Sequence, residues 1–133
     1  MSSRPQYNPK PVFDSTTSQD MTLTLNSLVT IIQKLSMVSY AVTWSGSTPV
    51  GTLVAQVSND YSTNSAGDVS NPGTWNNIPF NLAGVLVNSI PISGDSGNGF
   101  IDIDQLAGYA IRLQYIPTSG IGTLGAVVNC KVS

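Results

Sequence analysis

The sequence predicts an all-β fold: a single antiparallel β-sandwich, jelly-roll-like, with about eight strands and an extended N-terminal arm. Several segments alternate apolar and polar residues with a period of two, as strands with one buried face do. Twelve glycines and eight prolines separate these segments, and only 9% of the residues are charged. At 133 residues the chain has the length of one domain that can bury its own hydrophobic core.

The arm is predicted over residues 1–20 and the sandwich domain over residues 21–133. Three prolines among polar residues disfavour a helix in the arm. An extended chain of this length reaches on the order of 60 Å, far enough to lie across a neighbouring subunit. A frayed terminus is the alternative, although the arm contains apolar residues that a disordered tail does not need. The candidate anchors on a neighbouring subunit or other partner surface are Tyr7, Val12 and Phe13.

The first part of the domain, residues 21–35, fits two patterns. Its leucines fit one face of a helix, whereas the β-branched run at 29–32 favours a strand, and we predict a strand. Residues 38–44 and 53–57 then alternate clearly. Because the segment between them, SGSTPVG, contains two glycines and a proline, these two strands are predicted to form a hairpin.

A long polar loop follows, over residues 59–74. Its aspartates and asparagines carry hard oxygen ligands, so Asp60 and Asp68 are weak candidates for a calcium site. The spacing of a calcium loop is missing, and Asn, Asp and Ser side chains bond their own backbone in turns, which explains this composition without an ion. We therefore expect no metal and interpret the loop as a candidate contact site.

Five further strands are predicted, separated by the glycine-rich segments SGDSGNG and PTSGIG. They span residues 76–80, 85–92, 100–104, 109–116 and 124–132. In the segments with clear alternation, these residues are predicted to share an inner face: Val38, Tyr40, Val42, Trp44, Leu53, Ala55, Val57, Tyr109, Ile111, Leu113, Tyr115, Leu124, Ala126, Val128, Cys130 and Val132.

Composition argues against an enzyme. Histidine is absent and all seven acidic residues are aspartates, so groups for acid-base chemistry are few. Asp102 and Asp104 share one face of a strand, but nothing supplies a nucleophile with a base beside it. We expect no catalytic residues and no cofactor. One cysteine, Cys130, without histidine cannot form a zinc site, and a buried, inert thiol is the simplest interpretation.

Charge and hydropathy also limit the partners. Five Lys and Arg residues and a net charge of -2 provide no basic stripe for nucleic acid. The apolar runs are too short to span a membrane, and the N-terminal residues lack the apolar centre of a signal peptide. We expect a soluble protein made in a cytoplasm whose partners are other proteins.

Three side chains are candidate partner-binding residues. Tyr61 and Trp75 flank the polar loop, and aromatic rings contact both sugars and proteins; alternatively, Trp75 packs inward. Arg112 alternates with apolar neighbours and should project outward. There it either forms a cross-strand pair with Asp102 or Asp104 or anchors an interface.

The order of four segments resembles a group of small virion proteins of tailed and related bacteriophages. The segments are VTWSGSTPVGTLVAQVSND, GTWNNIPF, FIDIDQLAGYAIRLQY and SGIGTLGAVVN, and the resemblance covers residues 38–131. It implies a β-sandwich or jelly-roll-like fold and a structural role on the particle, such as a decoration or cement protein. It implies no catalytic residues.

The expected function is therefore a non-enzymatic structural component of a phage particle, located in the virion, which decorates or cements the capsid as a homo-oligomer. Many copies make weak contacts collectively strong. The alternative is a carbohydrate-binding or host-receptor-binding jelly-roll module that uses Tyr61 and Trp75. The two interpretations differ at Trp75, which is exposed in a sugar site and largely buried in a structural role.

Overall fold

The computed structural model describes residues 10–13, 19–32, 35, 37–103 and 108–131, and within these ranges the chain forms strands and no helix. The all-β class is confirmed. The described strands, more numerous than the sequence predicts, are β1 (Lys10–Pro11), β2 (Leu25–Asn26), β3 (Thr30–Ile31), β4 (Met37–Ser58), β5 (Ser62–Thr63), β6 (Val69–Asn71), β7 (Asn76–Ile78), β8 (Phe80–Leu82), β9 (Val85–Val87), β10 (Ile90–Ile92), β11 (Ser96–Ile103) and β12 (Ala110–Lys131).

Two strands of 22 residues, β4 and β12, form the centre of the fold. They pair antiparallel from Met37 opposite Lys131 to Ser58 opposite Ala110. The other strands of the large sheet add to this pair. At one end the order is β1-β12-β4-β11-β8-β9; at the other, β2 and β3 pair with β12, while β7 and β10 pair with β4. Strands β5 and β6 form a separate two-stranded sheet.

The hairpin predicted between residues 38–44 and 53–57 is wrong. Both segments belong to β4, and SGSTPVG lies inside this strand opposite a glycine-rich part of β12. Register shifts there, between Pro117 and Ser119 and between Ser119 and Ile121, show that the residues that resemble turns form bulges. Gly120 has a positive φ of 79°, and a Cβ on it would collide with the carbonyl of Thr48.

Both halves of the central strand pair contribute to one apolar core. In β4 the core residues are even-numbered before the bulged region and odd-numbered after it, and in β12 the order is reversed. Most of the predicted inward-facing residues are buried in this cluster, which confirms the alternation for them. Trp44, Val57 and Cys130 are only partly buried and pack against the cluster. Tyr109 is also partly buried, and Val132 lies outside the described residues. The members from these two strands are Val38, Tyr40, Val42, Leu53, Ala55, Ile111, Leu113, Tyr115, Leu124, Ala126 and Val128.

The described N-terminal residues lie on the sheet of their own chain. Strand β1 pairs with β12, and the Val12 N–H donates to the Ala126 carbonyl at 2.9 Å. Val12 and Phe13, predicted to anchor the arm on a neighbour, are each only 2% exposed and belong to the core. The core of the same chain therefore shields these two apolar side chains from water, and no neighbouring subunit is needed to bury them. Tyr7, the third predicted anchor, lies outside the described residues.

The ambiguous segment after the arm is extended. It contributes the short strands β2 and β3, both paired with β12. Leu25 and Ile32 are buried, whereas Leu23, Leu28 and Ile31 are exposed. The prediction of strand rather than helix is confirmed for the described part.

Candidate functional site

The loop over residues 59–74 is closed at its base by Asp60. One carboxylate oxygen accepts the Thr74 backbone N–H at 2.6 Å and the Ser58 hydroxyl at 2.8 Å. The other accepts the Thr74 hydroxyl at 3.0 Å. These donors, the Thr74 N–H first, hold the pKa of Asp60 below its ordinary value of 3.8. Asp60 thus joins the two ends of the loop.

The tip of the loop is a hairpin formed by β5 and β6. Between these strands the Asn64 side chain accepts the N–H groups of Ala66 and Asp68 at 2.9 and 3.0 Å. This is the turn chemistry expected of asparagine. Asp68 lies at the tip and Asp60 at the base, so the hairpin separates the two weak metal candidates. Within the described residues, no group of three or more acidic or cysteine side chains could hold a metal ion.

The structure brings Tyr61, Trp75 and Arg112 together. The Arg112 guanidinium carbon lies 4.3 Å from the centre of the Trp75 ring. The centres of the Tyr61 and Trp75 rings are 5.9 Å apart, and the ring planes are at an angle of 55°. The indole N–H donates to the Pro72 carbonyl at 2.8 Å. All three side chains are partly buried. We call this group the Trp75–Arg112 site.

Arg112 does not form the predicted cross-strand pair with Asp102. Its Nε donates to Gln56 Oε1 at 2.9 Å, and Gln56 is the residue opposite it on β4. Asp102 lies on β11, which pairs with the other end of β4, opposite Ser39. Asp104 lies outside the described residues. Arg112 and Asp102 are close in the sequence, but the pairing of their strands places them at opposite ends of β4.

A chain of amide side chains continues from Arg112 across four strands. Gln56 Nε2 donates to Asn77 Oδ1 at 2.9 Å and to Gln114 Oε1 at 3.3 Å, and Gln114 Nε2 donates to Asn26 Oδ1 at 3.0 Å. Because the Arg112 guanidinium can only donate hydrogen bonds, the oxygen of the Gln56 amide must face it. The Gln56 nitrogen then points to Asn77 and Gln114, which fixes the orientation of the next amides. The chain links β7, β4, β12 and β2 on one outer face.

The Arg112 charge has little compensation within the described residues. Its guanidinium makes one hydrogen bond there, to a neutral amide. Partial burial lowers the pKa of Arg112 through desolvation, and no carboxylate contributes in the opposite direction. The stacked Trp75 ring supplies a cation–π contact.

A second surface feature, which the alternation pattern did not indicate, is an exposed apolar row across four strands. Pro11 lies opposite Val127, Val127 opposite Ala41, and Ala41 opposite Phe100, so the four side chains share one outer face. All four are exposed, and Phe100 is 57% exposed. We call these four residues the apolar row. The sequence signal was Phe100, which stands at an outward position before Ile101 and Ile103.

A shallow groove of about 250 Å³ adjoins the apolar row. Phe100 lines it together with Met37, Val38, Ser39, Asp102 and Asn129. Beyond β11, the edge strand β9 presents Val85 and Leu86, which are 62% and 66% exposed. Val85, Leu86 and Phe100 are thus three strongly exposed apolar side chains at this end of the sheet.

Cys130 is less buried than predicted. It packs against the core but is only partly buried, and its burial raises the pKa of the thiol. A thiol with a raised pKa is a weak nucleophile. No helix in the described chain has the length and apolar character needed to cross a membrane.

The fold is similar to that of the SPBc2 prophage-derived protein YomS. The two share 11% sequence identity over 97% of each chain, with a TM-score of 0.60. At this identity the similarity shows the fold alone. Comparison with protein-family models finds no match, and neither does comparison with curated proteins.

Proposed function

We propose that the chain is a non-enzymatic structural component of a phage particle that decorates or cements the capsid as a homo-oligomer. The two halves of the β4–β12 pair, on either side of the bulges, would form the two layers of a β-sandwich. The sequence resemblance to small virion proteins supports this role, and a solved structure with a similar fold comes from a prophage-derived protein.

The apolar row is the observation that carries the proposal. An exposed apolar surface continuous across several strands is typical of a protein interface. Its side chains come from four strands of one sheet, so the sheet holds their spacing without further ordering. A rigid surface loses little conformational entropy on binding, which favours a contact repeated many times on a particle.

The sugar-binding alternative finds less support at the Trp75–Arg112 site. A sugar platform needs an open aromatic face. Arg112 covers one face of the Trp75 ring, and Pro72 accepts the indole N–H. The Gln56 amide donates to Asn77 and to Gln114 and is therefore not left for a sugar.

The test is mass spectrometry of purified particles from cells that express the tagged chain, with copy number counted against the major capsid protein. Phe100→Ser should lower incorporation strongly while leaving the fold intact. Leu23→Ser is the matched control, because Leu23 is 52% exposed but lies outside the apolar row. Absence of the wild-type chain from particles, or equal incorporation of the two variants, would contradict the proposal.

A further inference from the structure

The guanidinium of Arg112 is held in place before any partner arrives. Two contacts restrict the orientation of the guanidinium plane. The guanidinium carbon lies 4.3 Å from the centre of the Trp75 ring, and Nε donates a hydrogen bond to Gln56 at 2.9 Å. Gln56 is itself held by Asn77 and Gln114. A long side chain fixed in this way has already lost much of the rotamer entropy that binding normally costs.

The same side chain carries unused binding capacity. A guanidinium has five N–H donors, and within the described residues only the one on Nε is used. The four donors on the two terminal nitrogens form the fork that matches a carboxylate with two parallel hydrogen bonds. The charge is partly removed from water and has no anionic neighbour in the described chain.

We propose that Arg112, supported by Trp75 and Gln56, is a carboxylate-binding site that receives an Asp or Glu side chain of a partner protein. Charge complementarity selects the occupant: one cation with a free fork matches one planar monoanion. Phosphate groups are usually bound by clusters of arginines, and the other groups bonded to Arg112 and Gln56 are neutral amides. Only the identity of the partner protein rests on the proposed function; the carboxylate site itself does not.

The site can be tested on the isolated chain with propionate, which has the carboxylate of a glutamate side chain. Titration is followed by the ¹⁵N resonances of Arg112 Nε and the Trp75 indole, with sodium chloride at equal ionic strength as the reference. The Trp44 indole, bonded to the Ser93 carbonyl in another part of the sheet, is the internal control. We expect a saturable shift at Arg112 and Trp75 that chloride does not produce and that Trp44 does not show.

Two variants sharpen the result. Arg112→Lys keeps the charge but loses the fork and should weaken propionate binding by about tenfold. Gln56→Glu places a carboxylate inside the chain opposite Arg112 and should compete with propionate, with a similar loss. Dispersed amide spectra establish that each variant is folded.

Three outcomes would overturn the site: a propionate response equal to that of chloride, saturation by inorganic phosphate but not by propionate, or unchanged affinity in a folded Arg112→Lys variant. Particle incorporation does not enter this measurement. A chain that binds propionate but is absent from particles would refute the proposed function and leave the carboxylate site standing.

Discussion

At the scale of single residues, Gly51 packs closely against the buried ring of Tyr115. Tyr115 is fully buried, and its hydroxyl has no hydrogen-bond partner in the described structure. A Cβ on Gly51 would collide with that hydroxyl and would lie 2.5 Å from the Ile116 carbonyl oxygen. Glycine is required here because the Tyr115 ring and the backbone of β12 occupy the space of a side chain.

Gly51→Ala is therefore expected to destabilise the protein by about 1–3 kcal/mol, the usual cost of overpacking. Gly99→Ala is the matched control, because its Cβ would have its nearest neighbour, Ile90 Cδ1, at 3.6 Å. That variant should stay within about 0.5 kcal/mol of the wild type. Urea denaturation measures both, and equal stability of the two variants would contradict the packing described.

The Asp60 carboxylate makes loop closure depend on pH. Its pKa in the folded protein lies below 3.8, chiefly because Thr74 donates its N–H. The contribution of Asp60 is thus fully present above pH 3.8 and is lost as the pH falls through the lower folded pKa. Amide exchange at Thr74, compared at neutral pH and below pH 3.8 after correction for intrinsic rates, should show protection lost in acid.

Asp60→Asn should reduce the protection of Thr74 at neutral pH, because the amide has only one acceptor oxygen. Asp68→Asn is the control in the same loop, since the Asp68 side chain makes no hydrogen bond in the described structure. Equal protection in both variants would show that Asp60 does not close the loop.

At the scale of elements, the amide chain ties together strands that come from distant parts of the sequence. Gln56 is only 8% exposed and bonds to Arg112, Asn77 and Gln114. A polar group at this degree of burial is costly when its partners are removed. The chain therefore stabilises the positions of β7 and β12 beside β4.

Gln56→Ala should destabilise the protein by about 1–3 kcal/mol, because it leaves three partners short of a hydrogen bond. Asn129→Ala, also on an outer face of the central pair but without a side-chain hydrogen bond in the described structure, should change stability by less than about 0.5 kcal/mol. Thermal unfolding followed by circular dichroism compares them. A Gln56→Ala variant as stable as the control would show that the amide chain contributes little.

At the scale of the whole molecule, the described residues 10–13 belong to the folding unit. Strand β1 adds to β12, and Phe13 enters the core at 2% exposure. Phe13→Ala should cost about 3–5 kcal/mol, the typical loss for a buried phenylalanine. Phe100→Ala, at a position 57% exposed, should cost far less. Chemical denaturation measures the free energy of unfolding of both variants. A small loss of stability in Phe13→Ala would contradict a core position for Phe13 and favour the predicted arm.

Local pattern was sufficient for the all-β class and for most inward-facing residues of the clearly alternating segments, since alternation depends on neighbours two residues apart. It also identified Tyr61, Trp75 and Arg112 as separate candidates. Their contact could not be predicted, because it depends on β12 pairing with β4 while the Asp60 bond returns the loop to the end of β4.

The sequence by itself determined that this chain forms strands with one apolar face, because residue spacing and side-chain hydropathy are local properties. Only the tertiary structure decided that SGSTPVG continues a strand, that Val12 and Phe13 fill the core of their own chain, and that Pro11, Val127, Ala41 and Phe100 form one row. Each of these depends on which distant strand supplies the hydrogen bonds. That choice is made by the total burial and pairing of the sheet, not by any one segment.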